Sequence, residues 1–520
     1  MTTLYEPRAD APRIAPGIAT WLAFLLMCLG MFMAILDVQV VAASLPTMQE
    51  ALDISKDAMS WIQTAYLIAE VIAIPLTGLL TRVLTLRWLF VCAVGLFTAA
   101  SIGCAFSEHF ATLLTFRVVQ GFAGGLLIPA VFSAVFLLFP RDLHATATTI
   151  GGVVAVFAPS IGPVVGGFIT ETWSWPWLFL INVLPGVLAA STTPFLLPRQ
   201  KTNLGELGNL DVPALVLMAT ALACLEIALK QAPQRGWLSL SCAGLLLASI
   251  VGLALFVWRA SQAEHPVLRL VALKRRSFAT ACALSFCLGI GLFGSVYLMP
   301  VFLGFVRRHD AFEIGIVMLV TGVAQLLSAP IVAALESRLG PRPVTAFGFA
   351  LFALGLGLSY FQPGTADFDE MFWPQVVRGV AIMFCLLPPM RIALGELPEA
   401  EIADASGMFN LMRNLGGAIG IALIDTILYG RSVVHGEALR VRLLAGDPSA
   451  ASAIGLDPAL LLNRPQGPPT EAEIAYVRPL VERASLALST NEAWAMLAFV
   501  AVIGLLLVPL ARDSEAKSKS

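Results

Sequence analysis

Charge is what this sequence has least of. Asp, Glu, Lys and Arg make up 13% of its 520 residues, where a soluble domain carries about 25%. That excludes an ordinary water-facing globule and points to a polytopic membrane protein. The formal net charge is -2, so there is no basic surface to draw nucleic acid, and no nucleic-acid partner is expected. Histidine is scarce, five in all, and no two stand at metal-ligand spacing on one helix face. The eight cysteines lie in apolar runs without a CxxC pair, which excludes a zinc site and a disulfide framework and leaves them as small buried hydrophobes. HExxH and GxSxG do not occur in a suitable context, so neither an enzyme nor a metal is expected.

What is present is apolar: 58% hydrophobic residues and a mean hydropathy of +0.84. A hydrocarbon core of ~30 Å takes about 20 residues of helix. On that ruler the chain holds about fourteen spans. The first six lie near 19–43, 58–80, 88–106, 111–137, 146–170 and 177–197, two more near 211–229 and 240–259, and six near 277–303, 313–334, 343–361, 371–394, 405–428 and 493–511. Residues 1–17 are polar, and the run after them is too long for a signal-peptide core, so it is read as a retained span. Lys and Arg concentrate in alternate loops, including Arg82, Arg87, Arg141, Arg199, Lys274, Arg275, Arg338 and Arg342, which sets both termini in the cytoplasm. Trp173, Trp175 and Trp177 mark an outer interface.

The basic turn Gly78-Leu-Leu-Thr-Arg82-Val-Leu-Thr-Leu-Arg87 is echoed by Ala334-Leu-Glu-Ser-Arg338-Leu-Gly-Pro-Arg342 at the same place in a second six-span block. Repeated halves are the sign of a transporter that rocks about a midplane site. The expected organisation is a tail 1–18, a six-helix bundle 19–197, two inserted helices with linkers 198–276, a second bundle 277–511 and a tail 512–520. The second bundle includes a long outer loop, 429–492, with turn signals at Asp447-Pro448, Asp457-Pro458 and Gly467-Pro468-Pro469. Thr470-Glu-Ala-Glu473 reads as a capping box. Ile474, Val477, Val481, Ala484 and Leu488 then predict a short amphipathic helix, bent at Pro479.

An ionisable residue within a span costs roughly 2.5–3.5 kcal/mol on insertion scales and is a functional candidate by default. Asp37, Glu70, Arg117, Glu226, Arg378, Arg413 and Asp425 qualify, with Glu226 and Asp425 nearer span ends. At 1.5 Å per residue Asp37 lies roughly 13 Å and Arg117 roughly 10 Å below the outer surface, so the two can share one site if their spans are neighbours. A carboxylate in low dielectric favours its protonated form, and a nearby guanidinium opposes this. Asp37 and Glu70 are therefore the proton-carrier candidates and Arg117 their modulator. Arg378 stands early in its span as Arg117 does and is read as its mirror. Arg413 precedes Gly416 and Gly420 at close-packing spacing. In the fifth span Pro159, Gly162, Pro163, Gly166 and Gly167 predict a bent, tightly packed gating helix. Abundant Met and Phe, 15 and 31, suit hydrophobic or amphipathic substrates held without strict hydrogen-bond geometry.

These blocks carry a resemblance. Leu36-Asp37-Val-Gln-Val-Val-Ala-Ala-Ser-Leu45-Pro46 resembles the first-helix signature of the 14-span drug/proton antiporters of the major facilitator superfamily, the EmrB/QacA type. Arg117, Gly121 and Gly125 resemble that superfamily's fourth-helix motif, whose arginine is associated with proton transfer. Gly162-Pro163 with Gly166-Gly167 resembles the fifth-helix antiporter motif, regarded as marking export. Trp177-Leu-Phe-Leu-Ile-Asn182 and Met412-Arg413-Asn414-Leu-Gly416-Gly417 also look like family blocks. The cytoplasmic loop motif keeps Gly78 and Arg87 but has Arg82, Thr85 and Leu86 where Asp, Gly and a basic residue are usual, so its acidic anchor is missing. After Asp37, Val38, Gln39 and Ala42 replace the family's more polar residues, which implies a different substrate preference.

The resemblance implies an all-α membrane protein with the major facilitator fold, two six-helix bundles plus two inserted helices. It implies a proton-coupled exporter of hydrophobic compounds across the inner membrane, driven by the proton motive force without a cofactor. The long loop is EmrB-like in layout and implies a periplasmic membrane-fusion adaptor and an outer-membrane channel as partners. The alternatives are an exporter of a dedicated lipid or metabolite and a non-transporting scaffold, the latter disfavoured by the buried charges.

Overall fold

Backbone groups in hydrocarbon find no water, so apolar runs close their hydrogen bonds internally as helices. The computed structural model describes residues 17–54, 56–203, 205, 211–263, 266–395, 397–459 and 470–511. Both tails and the Gly467-Pro468-Pro469 turn lie outside the described residues. Among those described, the regular elements are helical. In chain order they are α1 (Ile18–Ala51), α2 (Lys56–Ala73), α3 (Thr77–Ala105), α4 (Phe110–Leu138), α5 (His144–Thr172), α6 (Trp177–Leu180), α7 (Val183–Leu196), α8 (Val212–Arg235) and α9 (Leu240–Gln262). There follow α10 (Arg276–Val301), α11 (Ala311–Leu339), α12 (Pro341–Ser359), α13 (Phe368–Leu394), α14 (Glu399–Leu444), α15 (Pro448–Ala453) and α16 (Glu471–Leu507).

Twelve stretches are long and apolar enough to cross a bilayer, and a bent pair over 141–159 and 161–172 adds a thirteenth. One stretch, Trp61–Ala105, has 45 residues, roughly 68 Å of helix and more than twice the hydrocarbon thickness. It breaks at Thr85, at φ 72°, ψ 158°, and so makes two crossings, bringing the total to fourteen. The matching turn of the second half holds Gly340 at φ 80°, ψ 166°. A β-branched residue in this glycine region is costly, of order 1–3 kcal/mol.

The outer loop corrects the expectation most. The thirteenth span does not end near residue 428: α14 runs 46 residues, roughly 69 Å. The capping box at Thr470 and Glu473 is present, but the helix it opens is not short. It continues through Pro479 into the last span as α16. The two extensions and α15 form a hairpin with its own small core, in which Val477, Val481 and Ala484 meet Leu439, Leu443, Ala450 and Ile454. Arg431 and His435 of one arm close on Glu492 of the other at 2.6 and 2.9 Å.

In the first six spans α1 packs on α4, α5 and α7, and α4 on α2 and α3. In the last six, α10 packs on α14, α13 on α11 and α12, and α16 on α10, α12 and α14. The groups meet where α5 lies along α11 and where α14 crosses α3 and α4. The pair α8 and α9 docks through α8 on α2 and α14. Lys230 donates to Thr64, and Trp237 Nε1 donates to Thr426 Oγ1 at 3.0 Å.

Candidate functional site

Asp37 and Arg117 are fully buried, as α1 and α4 cross. Arg117 Nη1 donates to Asp37 Oδ2 at 2.5 Å. Asp37 Oδ1 accepts from Gln120 at 2.9 Å and from Asn182, before α7, at 3.0 Å. Arg117 also donates to Gln120 Oε1 at 2.7 Å and to the Ile62 carbonyl at 3.1 Å. Its guanidinium stands 4.4 Å from the Tyr66 ring and 5.8 Å from that of Phe179. Charge, hydrogen bonds and aromatic faces thus hold the pair from four spans, which lets an ion pair persist at this depth. Gln120, Tyr66 and Asn182 were not singled out from the sequence as partners. Their signal was the three-residue step from Arg117 to Gln120, which puts both on one helix face.

Glu70 does not join this pair. It faces α14, where Asn414 Nδ2 approaches Oε1 at 3.5 Å. Arg413, close enough to that carboxylate to interact with it electrostatically, donates to Asn410 at 2.6 Å, and its guanidinium stands 5.9 Å from Phe132 of α4. Gly416 lies against the Phe286 carbonyl of α10, where a Cβ would come within 2.2 Å. Glu226 shares a face of α8 with Lys230, and Asp425 accepts from Tyr297 at 2.6 Å.

In the second half, Arg378 does not mirror Arg117. Gly121 lies against the Tyr66 carbonyl, a Cβ there falling 2.2 Å away, and Gly379 lies likewise on the Thr321 carbonyl at 2.5 Å. Matching these two contacts sets Gln375 opposite Arg117, and Arg378 opposite Gln120. The Arg–Gln pair is therefore reversed between halves. Arg378 Nη2 donates to Thr321 Oγ1 at 3.1 Å, and Trp494 stands 5.2 Å from the guanidinium. No carboxylate partner is present among the described residues.

The fifth-span motif forms two contacts. Gly162 admits Gln39 of α1, and Val164 packs on Gly315 of α11 across the seam, each so close that a Cβ on the glycine would overlap. Gly166 and Gly167 are buried, and the Gly166 carbonyl accepts from Thr170 at 2.7 Å. The helix bends by 45° between Pro159 and Ile161, where the ring of Pro163 excludes the hydrogen bond to the carbonyl of Pro159.

Just before the break at Thr85, Arg82 pairs with Asp404 of α14 and reaches the Pro266 carbonyl at 3.3 Å. Gly78 gives Asp404 room, since any side chain there would overlap it. The missing acidic anchor thus sits on the opposite half, with the charges exchanged. Ser406 Oγ closes the same seam by donating to the Pro129 carbonyl at 3.0 Å. Arg87 stands over Trp88, 5.2 Å from its ring, and does not enter the pairing.

The Major Facilitator Superfamily model matches residues 27–421. The chain belongs to that superfamily. Its members are multi-pass membrane transporters, not enzymes. The colistin resistance protein EmrB of Acinetobacter baumannii is 38% identical over 422 residues, covering 81% of this chain and 82% of that one. The multidrug export protein EmrB of Escherichia coli K12 is 28% identical over 490 residues, covering 92% and 93%. Among solved structures, the human organic anion transporter MFSD10 superposes with a TM-score of 0.61 at 12% identity, over 96% of this chain and all of that one. The proton:xylose symporter XylE superposes with a TM-score of 0.57 at 12% identity, over 94% of each chain. These two likenesses show the superfamily fold alone.

Proposed function

We propose that this protein is a proton-coupled exporter of hydrophobic or amphipathic compounds across the inner membrane. The observation that carries the reading is the position of Glu70: a carboxylate of the first half approached by Asn414 of the second, at 3.5 Å. Any rocking of the halves must change its surroundings. Opening of the seam replaces the Asn414 contact by water, so the balance between acid and anion changes with the motion. Proton uptake on one side and release on the other then follow the motion. Asp37, held by three donors, keeps Arg117 fixed beneath this seam and is the second proton-carrier candidate. Gly162 to Gly167 form the surface on which α5 slides without leaking, and Arg82 with Asp404 closes the cytoplasmic side. The driving force is the proton motive force, with no cofactor. The printed names of the relatives, multidrug export and colistin resistance, support a drug-like cargo.

The division into two six-helix bundles with residues 198–276 inserted belongs to the same proposal, as do cytoplasmic termini. So does docking of a periplasmic adaptor, continuous with an outer-membrane channel, on the hairpin formed by α14, α15 and α16. Purified protein in proteoliposomes with an imposed pH gradient tests the coupling. Efflux should follow the gradient, and Glu70→Gln should uncouple it. Efflux unchanged on collapse of the gradient would sink the proposal, as would wild-type transport by Asp37→Asn and Glu70→Gln combined. Co-purification that ignores removal of residues 432–489 would count against docking at the hairpin.

A further inference from the structure

Between the start of α12 and the end of α16 lies a groove of about 430 Å³. Its walls are apolar: Ala346 from α12, Leu505 and Leu506 from α16, and Val508 from the turn that follows. Its one charged lining residue is Arg342, half-buried in the first turn of α12. The guanidinium is fixed in place, because Nη2 donates to the Pro509 carbonyl at 2.8 Å. Among the described residues it has no carboxylate partner. The acid nearest in sequence, Glu336, is spent on Arg391 of α13 at 3.2 Å, and Arg338 between them is exposed. This end of the second half therefore carries an excess of positive charge.

Position decides what can fill the groove. Arg342 opens the span Pro341–Ser359, and Pro509 lies at the end of the stretch Glu471–Leu510. The guanidinium thus stands at the bilayer edge, the level of the lipid phosphates. From there to Ala346 and Leu505 the apolar walls run inward by roughly 6 Å. Leu506 is 71% exposed, so the groove opens sideways to hydrocarbon. A water-borne anion would meet the charge and leave the walls uncovered. A phospholipid meets both, with phosphate against guanidinium and chain against wall. A zwitterionic headgroup brings its own cation, and Glu336 is not free to receive it. Basic pockets between spans accordingly favour acidic lipids.

We propose that this groove holds one anionic phospholipid, its phosphate on Arg342 and the first part of one acyl chain along Ala346, Leu505 and Leu506. The lipid bridges α12 to α16 beside the contact of Arg342 with Pro509. This assignment is independent of proton coupling and of the exported compound.

The test is intact-complex mass spectrometry of the full-length protein in neutral detergent, titrated with phosphatidylglycerol or phosphatidylcholine. Wild type should take up one phosphatidylglycerol saturably, at a concentration several-fold below that needed for phosphatidylcholine. Arg342→Gln keeps a donor for the Pro509 carbonyl and removes the charge, so the preference for phosphatidylglycerol should disappear. Ala346→Phe keeps the charge and fills the groove, and should weaken both lipids several-fold. Arg478→Gln, on the hairpin, lowers the net charge equally and should change neither. Inorganic phosphate should not displace phosphatidylglycerol. Should Arg342→Gln not fold, Ala346→Phe decides. Equal affinity of wild type for the two lipids overturns the proposal, as does a preference that survives in Arg342→Gln or is lost in Arg478→Gln. Displacement by phosphate, or unaltered binding in Ala346→Phe, identifies an ion site and overturns it as well.

Discussion

The two halves bury the same chemistry in opposite states of balance. In the first, Arg117 stands at 2.5 Å from a carboxylate that three donors hold in place. In the second, Arg378 has a hydroxyl, an aromatic face and no acid. The helical frame is alike in both, down to the glycine that seats each arginine-bearing helix on a neighbouring carbonyl. What differs is which of two positions, three residues apart, carries the charge, and whether the first helix of the half supplies its partner. Repetition therefore preserves backbone approach and leaves electrostatics free to diverge. One half pairs its buried arginine with an acid, and the other leaves two nitrogens of its arginine without an acceptor.

The sharpest break in this comparison is at Asp37. Asp37→Ala should cost about 3–5 kcal/mol, because it strands Arg117 in a dry site. Asp37→Leu with Arg117→Met should recover most of that loss while remaining inactive in transport. Thermal unfolding in nanodiscs measures both, and a double variant no more stable than Asp37→Ala would refute the account. Next in size is the seam between the halves. A double-mutant cycle with Arg82→Gln and Asp404→Asn should return a coupling of about 1–3 kcal/mol, since Asp404 is 2% exposed and Arg82 only 14%. Additive losses would mean that the exchanged charges do not hold the halves together.

Arg378→Met should behave opposite to the Asp37 variant. Its stability should lie within about 1 kcal/mol of wild type or above it, because the substitution removes an uncompensated charge. A loss as large as that of Asp37→Ala would erase the distinction between the halves. The smallest effect compares the two connecting turns. Thr85→Gly gives the first turn the residue that Gly340 supplies in the second, and should raise stability by about 1 kcal/mol. A drop would mean that Thr85 makes contacts outweighing its backbone cost.

The spans and the depth of the charges were legible in the sequence, because hydrocarbon penalises every exception to an apolar run and each exception therefore stands out. Asp37 and Arg117 could be set at one level by counting residues. Their neutral partners were not identified as such, since an uncharged Gln120 or Asn182 within a span costs less than a charge and points to no particular partner. Arg378 was misread for a related reason: counting from span ends cannot resolve three residues, and only the Gly121 and Gly379 contacts set the register. Asp404 escaped because it lies at a helix end, where a charge is ordinary. The long loop was misread because the polar residues after Leu428 suggest that the helix ends there. Helices leave the membrane without ending when, like Leu439 and Leu443, they still have a partner to bury against.

That last point gives α14 a mechanical role. It is one continuous helix from Glu399 to Leu444, pairing with Arg82 near its N-terminal end, passing Glu70 at Asn414, and ending in the hairpin. Measured from Asn414, the short arm to Asp404 is roughly 15 Å and the long arm to Leu444 roughly 45 Å. A tilt of about 10° about that point would shift the Arg82 contact by roughly 3 Å and the hairpin tip by roughly 8 Å. The helix is a three-to-one lever with the carboxylate at its fulcrum. Whatever grips the tip can work the lock.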